Sequence, residues 1–123
     1  MRSILLVGLG GAAGSICRYL IHLYFEKNQI SHVPLATLIA NVTGCFLVGI
    51  ILGLFHKNHL ITEELRLLLA IGFCGGLTTF STFTSESFNL IGHKEFLIAS
   101  LYISISVMTG LLAFWTGNLL IKN

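Results

Sequence analysis

Four apolar runs, at about residues 3–25, 35–55, 65–91 and 96–121, leave this chain little choice of solvent. Each is near or above the ~20 residues that a helix needs to cross the hydrocarbon core of a bilayer. Only 10% of the 123 residues are charged, against about 25% in ordinary soluble domains. The chain therefore lacks the charge to cover a water-facing surface. The runs predict an all-α membrane protein, a single four-helix transmembrane domain over residues 1–123 with both termini on one side, and the lipid bilayer as its first partner.

The connections carry the polar punctuation: Glu26, Lys27, Asn28 and Gln29 with Ser31, His32 and Pro34; then His56, Lys57, Asn58 and His59 with Thr62, Glu63 and Glu64; last His93, Lys94 and Glu95. They are too short to hold an extramembrane domain. The first run begins like a signal peptide, with Arg2 ahead of an apolar stretch and small residues from Gly10 to Ser15. It continues through Tyr24 and Phe25 and precedes three further spans, so it reads as the first helix.

Seven basic and five acidic residues, a formal net charge of +2, are scattered singly. No basic stripe of the kind a nucleic-acid binder needs is present, which excludes nucleic acid as a partner. Lysine and arginine near helix ends normally set orientation. Here Arg2, Lys57, Arg66 and Lys122 on the side of the termini face Lys27 and Lys94 on the other, with Arg18 able to snorkel there. So weak a bias suits a chain that inserts both ways and pairs as an antiparallel dimer. A weakly held single topology suits the count equally. Four helices are few for enclosing a pathway, so self-association is expected, and the small-xxx-small pairs Gly10/Gly14 and Gly11/Ser15 on the first helix offer a close-packing face. Gly44, Gly49 and Gly53 do similar service on the second.

Two apparent motifs carry little. Gly8, Gly10 and Ala13 fit the GxGxxA form of a dinucleotide fingerprint, with Glu26 near the distance of a ribose-binding acid. That fingerprint needs a preceding strand and a βαβ unit, whereas these glycines lie within one apolar span. Cys17, Cys45 and Cys74 each sit inside an apolar run with no CxxC pair or Cys/His cluster, and read as packing residues.

The informative stretch lies in the third run. Gly75 and Gly76 are followed by Thr78, Thr79, Phe80, Ser81, Thr82, Phe83, Thr84, Ser85, Glu86 and Ser87, and seven of those ten residues are Ser or Thr. Adjacent glycines weaken a helix, and freed backbone groups at mid-membrane depth are tolerated only where they are buried in protein or face water or an ion. A third helix broken mid-membrane at a functional site is predicted. Neutral donors surround it: the hydroxyls themselves, Thr37 and Asn41 at i and i+4 on the second helix, and Tyr102 and Ser106 at i and i+4 on the fourth. Donors without fixed charge suit an anion that must leave again, because several of them together can replace its hydration shell. Phe80 and Phe83 share one helix face, and aromatic ring edges are electropositive.

At this point the sequence resembles the Fluc fluoride channels, also called the CrcB family, over essentially the whole chain. The most specific match is Gly75-Gly76-Leu77-Thr78-Thr79-Phe80-Ser81-Thr82-Phe83, which agrees with the GGxTTFSTF signature of that family. Gly10 to Gly14 with Arg18 and Tyr19, and Thr37 to Asn41 with Gly44 and Gly49, also resemble it; Ala36 and Ala40 stand where Gly and Val are usual, and the fourth helix matches only through Tyr102, Ser106 and Gly110. The resemblance implies an antiparallel, dual-topology homodimer in the bacterial inner membrane, with two fluoride pathways that give passive efflux and fluoride resistance. It implies that Phe80 and Phe83 contact fluoride by their ring edges and that Asn41 lines the pore. Thr37, Ser81, Thr82, Tyr102 and Ser106 would supply neighbouring polar contacts. It further implies that carbonyls of Gly75 and Thr78, two from each protomer, hold a structural Na+ on the dimer axis.

Two charges remain. Arg18 lies roughly 10 Å from the end of the first helix, either snorkelling to the interface or lending positive charge to a vestibule. Glu86 either pairs with a base such as Arg18 or lies near the interface. The rival functions are a proton-coupled fluoride carrier working through Glu86 and a small multidrug-type cation transporter. The latter needs a carboxylate deep in the first helix, and that run has none. An enzyme is not expected, since only His22 of the five histidines lies within a span and no nucleophile set gathers around it.

Overall fold

The computed structural model describes residues 1–28, 34–57 and 61–122. Gln29, Ser31, His32, Asn58 and His59 of the expected connections lie outside the described residues. Every regular element among the described residues is helical: α1 (Arg2–Lys27), α2 (Leu35–His56), α3 (Glu63–Arg66), a π-helical stretch (Leu67–Cys74), α4 (Gly75–Leu77), α5 (Phe80–Gly92) and α6 (Phe96–Lys122). Four segments are long and apolar enough to cross a membrane, namely Arg2–Lys27, Leu35–His56, Glu63–Gly92 and Phe96–Lys122. The third is a composite of α3, the π stretch, α4 and α5. Gly8, Gly10 and Ala13 all lie inside α1 with no strand ahead of them, so the dinucleotide motif is a coincidence of close-packing glycines.

The spans run up and down. Arg2 meets Glu64 at 3.0 Å and the Lys57 ammonium donates to the Ile121 carbonyl at 2.6 Å. The start of α1, the end of α2, the start of the third span and the end of α6 therefore share one end of the bundle. At the opposite end Lys94 adopts φ 63°, and the amides of Lys94 and Glu95 turn back to the carbonyls of Ile91 and Leu90. That turn reverses the chain between α5 and α6.

Packing rests on small residues. Ala36, Ala40, Gly44, Gly49 and Gly53 are the buried face of α2, which lies along α6. A Cβ on Gly49 would strike the Phe114 carbonyl, and one on Gly117 the Phe46 carbonyl. Lipid supplies no hydrophobic drive for helices to associate, so backbones that touch gain stability by van der Waals contact instead. Gly10 and Gly14 obey the same rule against the third span, where added Cβ atoms would collide with the carbonyls of Leu68 and Phe73. This corrects one expectation: the small-residue face of α1 is occupied within the chain and is not available for self-association. Outward faces stay apolar, as at Leu97, Leu111 and Leu120 of α6, which are 73%, 67% and 64% exposed.

Candidate functional site

The third span does break, two residues beyond the double glycine. Helical backbone continues through Gly75, Gly76 and Leu77, and the chain becomes extended at Thr78 (φ −80°, ψ 155°) and Thr79 (φ −150°, ψ 120°) before α5 begins. The two glycines have separate uses. A Cβ on Gly76 would run into the backbone of Gly11 on α1, whereas one on Gly75 would meet nothing within 4 Å.

Asn41, one turn into α2 from Thr37, holds the break open. Its Oδ1 accepts the Thr79 amide at 2.7 Å and its Nδ2 donates to the Thr79 carbonyl at 3.1 Å, as a neighbouring strand would. The second N–H of that amide group remains to be offered elsewhere. Thr79 in turn caps α5, its hydroxyl oxygen accepting the Thr82 amide at 3.2 Å and contacting the hydroxyls of Thr82 and Ser81 at 3.0 and 3.3 Å. On the other side of the break Arg18 donates its Nε to the Gly76 carbonyl at 3.1 Å. Its guanidinium thus reaches inward to the break and does not snorkel outward.

This rewiring strips the carbonyls of Gly75, Gly76, Leu77 and Thr78 of their helical partners, and Arg18 replaces the one lost at Gly76. In an unbroken helix the Gly75 carbonyl would accept from the Thr79 amide and the Thr78 carbonyl from the Thr82 amide. The first amide is committed to Asn41 and the second to the Thr79 hydroxyl. Gly75 is exposed on the single chain, and no group of three or more His, Cys, Asp or Glu residues that could hold a metal ion occurs among the described residues.

Beside the break a groove of about 490 Å³ runs between α2, α5 and α6, lined among others by Asn41, Thr78, Thr79, Phe80, Phe83 and Ser106. The Phe80 and Phe83 rings lie 5.9 Å apart with their planes 41° to one another. Phe80 is 80% exposed, an unusual position for a large aromatic beside a polar break. The Ser106 hydroxyl is the buried side-chain polar atom that finds no partner among the described residues. It lines the same groove as Phe80 and Phe83.

Thr37 and Tyr102 do not line that groove. They belong to an adjoining cluster, in which Thr37 donates to Glu86 Oε1 at 2.7 Å and Tyr102 to Oε2 at 2.9 Å. Tyr102 also stacks near Phe83, ring centroids 5.4 Å apart, so it touches groove and carboxylate alike. Glu86 makes no ion pair with Arg18 among the described residues; hydroxyls from α2 and α6 occupy its two oxygens. His22 stands 3.3 Å from the Thr37 hydroxyl. Ser81 and Thr82 sit at the α5 cap and outside the groove lining. Three other hydroxyls, of Thr78, Thr84 and Ser87, turn back to the carbonyls of Cys74, Phe80 and Phe83, which is ordinary behaviour for such residues in membrane helices.

Thr79 is the residue that reasoning from sequence passed over. An extended Thr followed three residues later by another hydroxyl is a recognisable N-cap, but the run of hydroxyls around it hides the signal.

Residues 5–118 match the family model described as "CrcB-like protein, Camphor Resistance (CrcB)". Among similar proteins, one from Flavobacterium psychrophilum is 42% identical over 99% of this chain and 98% of its own length. One from Chlorobaculum tepidum is 45% identical over 99% and 96%, and one from Prosthecochloris aestuarii 43% identical over 98% and 93%. All three are named "Fluoride-specific ion channel FluC".

Proposed function

This chain belongs to the CrcB family, and on that footing we propose that it is a fluoride-selective channel giving passive fluoride efflux, built as an antiparallel homodimer. It is not an enzyme. HF crosses membranes uncharged, dissociates inside, and leaves the anion trapped; a conductive route lets that anion run down its electrochemical gradient and protects the cell. A multi-pass position in the bacterial inner membrane is where such a route would act.

The observation that carries the site is the break at Thr78 and Thr79, with an unpartnered hydroxyl and a pair of aromatic rings gathered on one side of it. Stripping a small anion of water is expensive, so its route must present several donors in close succession. The remaining N–H of Asn41, the Ser106 hydroxyl and the electropositive edges of Phe80 and Phe83 meet that need without a fixed positive charge that would trap the ion. Thr37, Tyr102, Ser81 and Thr82 support this lining by ordering the groups around it. Arg18, its Nε donating to the Gly76 carbonyl, adds favourable potential near the route.

Support for a dimer comes from what one chain leaves uncovered. Phe80 and Gly75 are both exposed at the break, and a freed carbonyl facing hydrocarbon is costly. A second copy laid across this face in the opposite orientation would cover both and contribute its own aromatic residues, giving two pores. The carbonyls of Gly75 and Thr78 from each copy would hold one Na+; when bound, that hard cation supplies the positive charge their missing amides do not. The ion is structural in this reading, enclosed by protein on the symmetry axis.

The test is fluoride release from liposomes containing the purified protein, followed with a fluoride electrode at equal pH on both sides. Wild type should release fluoride rapidly and chloride hardly at all, while Phe80→Ala, Phe83→Ala and Asn41→Asp should reduce release to the level of empty liposomes. Chloride leaving as readily as fluoride would overturn the reading, as would unaltered release in all three variants. Release that requires a pH gradient would favour the proton-coupled carrier instead.

A further inference from the structure

His22 has no part in the site so far, yet its imidazole is hydrogen-bonded into it. The Thr37 hydroxyl has a single proton and two close neighbours, Glu86 Oε1 at 2.7 Å and His22 Nε2 at 3.3 Å. Glu86 also receives the Tyr102 hydroxyl on Oε2, and a carboxylate that accepts two hydroxyls has no proton of its own to give. The Thr37 proton is thereby committed to Glu86, which leaves Thr37 only a lone pair to present to His22. Nε2 of His22 must carry the hydrogen.

Building on the fluoride-channel reading, we propose that His22 is a positioning residue for the fluoride route, setting the charge and the direction of hydrogen bonding of Glu86 through Thr37. The coupling is a matter of proton count. With neutral imidazole the group carries the one negative charge of Glu86, a turn beyond Phe83, and repels fluoride. Uptake of one proton from water removes that charge, wherever the proton rests. It stays on the imidazole, or Nε2–H passes to Thr37 Oγ1 as the Thr37 proton passes to Glu86 Oε1, leaving a neutral imidazole and a neutral carboxyl. Either arrangement leaves the group without net charge.

Few charged groups surround His22. On α1 the charged residues one turn to either side are Arg18, engaged with the Gly76 carbonyl, and Glu26, which is exposed. From α2 comes neutral Thr37, from α5 Glu86, and from α6 the Tyr102 phenol; His93, Lys94 and Glu95 lie in the turn beyond. Imidazole is the ordinary side chain whose charge changes between about pH 5 and 8.

The experiment is single-channel recording in planar bilayers with equal fluoride on both sides, where uncharged HF carries no current. From about pH 8 to about pH 5.5 the wild-type fluoride current should rise roughly three- to tenfold, as expected for loss of one charge near a narrow pathway. His22→Gln, which keeps a donor but cannot change charge, should bring the ratio of the two currents close to one. A flat wild-type profile overturns the proposal, and so does a variant that rises as wild type does. The nitrogen shifts of ¹⁵N-labelled histidine in reconstituted protein, assigned by comparison with His22→Gln, give a readout independent of transport. An Nε2–H tautomer at high pH is expected, and an Nδ1–H tautomer overturns the proposal. Absence of any fluoride current, with the tautomer as expected, would count against the channel reading alone.

Discussion

Upstream of Thr78 the third span is held chiefly by backbone contact, whereas downstream it is held by side-chain hydrogen bonds, and the contrast follows from what each half must touch. The upstream half presents Gly72 and Gly76 to Gly10, Gly11 and Gly14 of α1, closely enough that a Cβ would meet backbone atoms on the other side. The downstream half borders a groove in which Asn41, Thr78, Thr79 and Ser106 stand among mostly apolar side chains, and its backbone is fixed by Asn41 and by the Thr79 cap. At Gly72 and Gly76 the upstream half has no room for added volume, whereas the downstream half depends on its polar partners.

The largest effect should come from adding volume upstream. Gly14→Leu would drive a side chain into the Phe73 carbonyl and the Leu77 amide, and overpacking of that kind costs about 3 kcal/mol or more where backbone is the obstacle. Folded protein recovered from detergent by size exclusion should be nearly lost. Gly75→Ala, with no atom within 4 Å of the new Cβ, should keep wild-type helix content by circular dichroism. Equal behaviour of the two variants would erase the distinction between a contact glycine and an uncovered one.

A smaller effect should come from removing a partner downstream. Thr79→Val keeps the shape and the extended backbone but deletes the cap on the Thr82 amide, a loss of typically about 1 kcal/mol. The thermal midpoint in detergent should fall by a few degrees while fluoride release slows, because the hydroxyls of Ser81 and Thr82 lose the group that orders them. An unchanged midpoint would mean that Asn41 alone holds the break.

The same contrast explains how much was legible in the sequence. Spans follow from local apolarity, so the four helices lie within two residues of the apolar runs. The existence of a break was legible too, since glycines and hydroxyls inside an apolar run are locally anomalous. Its position was not, because Asn41 fixes it from a helix 38 residues away in sequence. Nothing in the run 67–74 announces its π-helical turns, which apolar side chains all around fit as well as an α-helix. The partners of Glu86 come from α2 and α6, and those of Gly10 and Gly14 from the third span. Such pairings depend on helix placement, which spacing along one helix does not encode.

The smallest expected effect is also the most discriminating. Ser106 keeps a buried hydroxyl without a partner among the described residues, and leaving a polar group unsatisfied costs the fold rather than helping it. Ser106→Ala removes one oxygen and little volume, so the folded protein should lose no stability and gain up to about 1 kcal/mol. Fluoride release should nonetheless slow, because in the proposed pore the groove gives up a donor to the passing anion. Stability and transport moving in opposite directions is a signature that a packing residue cannot produce. If Ser106→Ala instead lowers the thermal midpoint and leaves release untouched, the hydroxyl serves the fold, and the lining of the groove must be redrawn around Asn41 and the two phenylalanines.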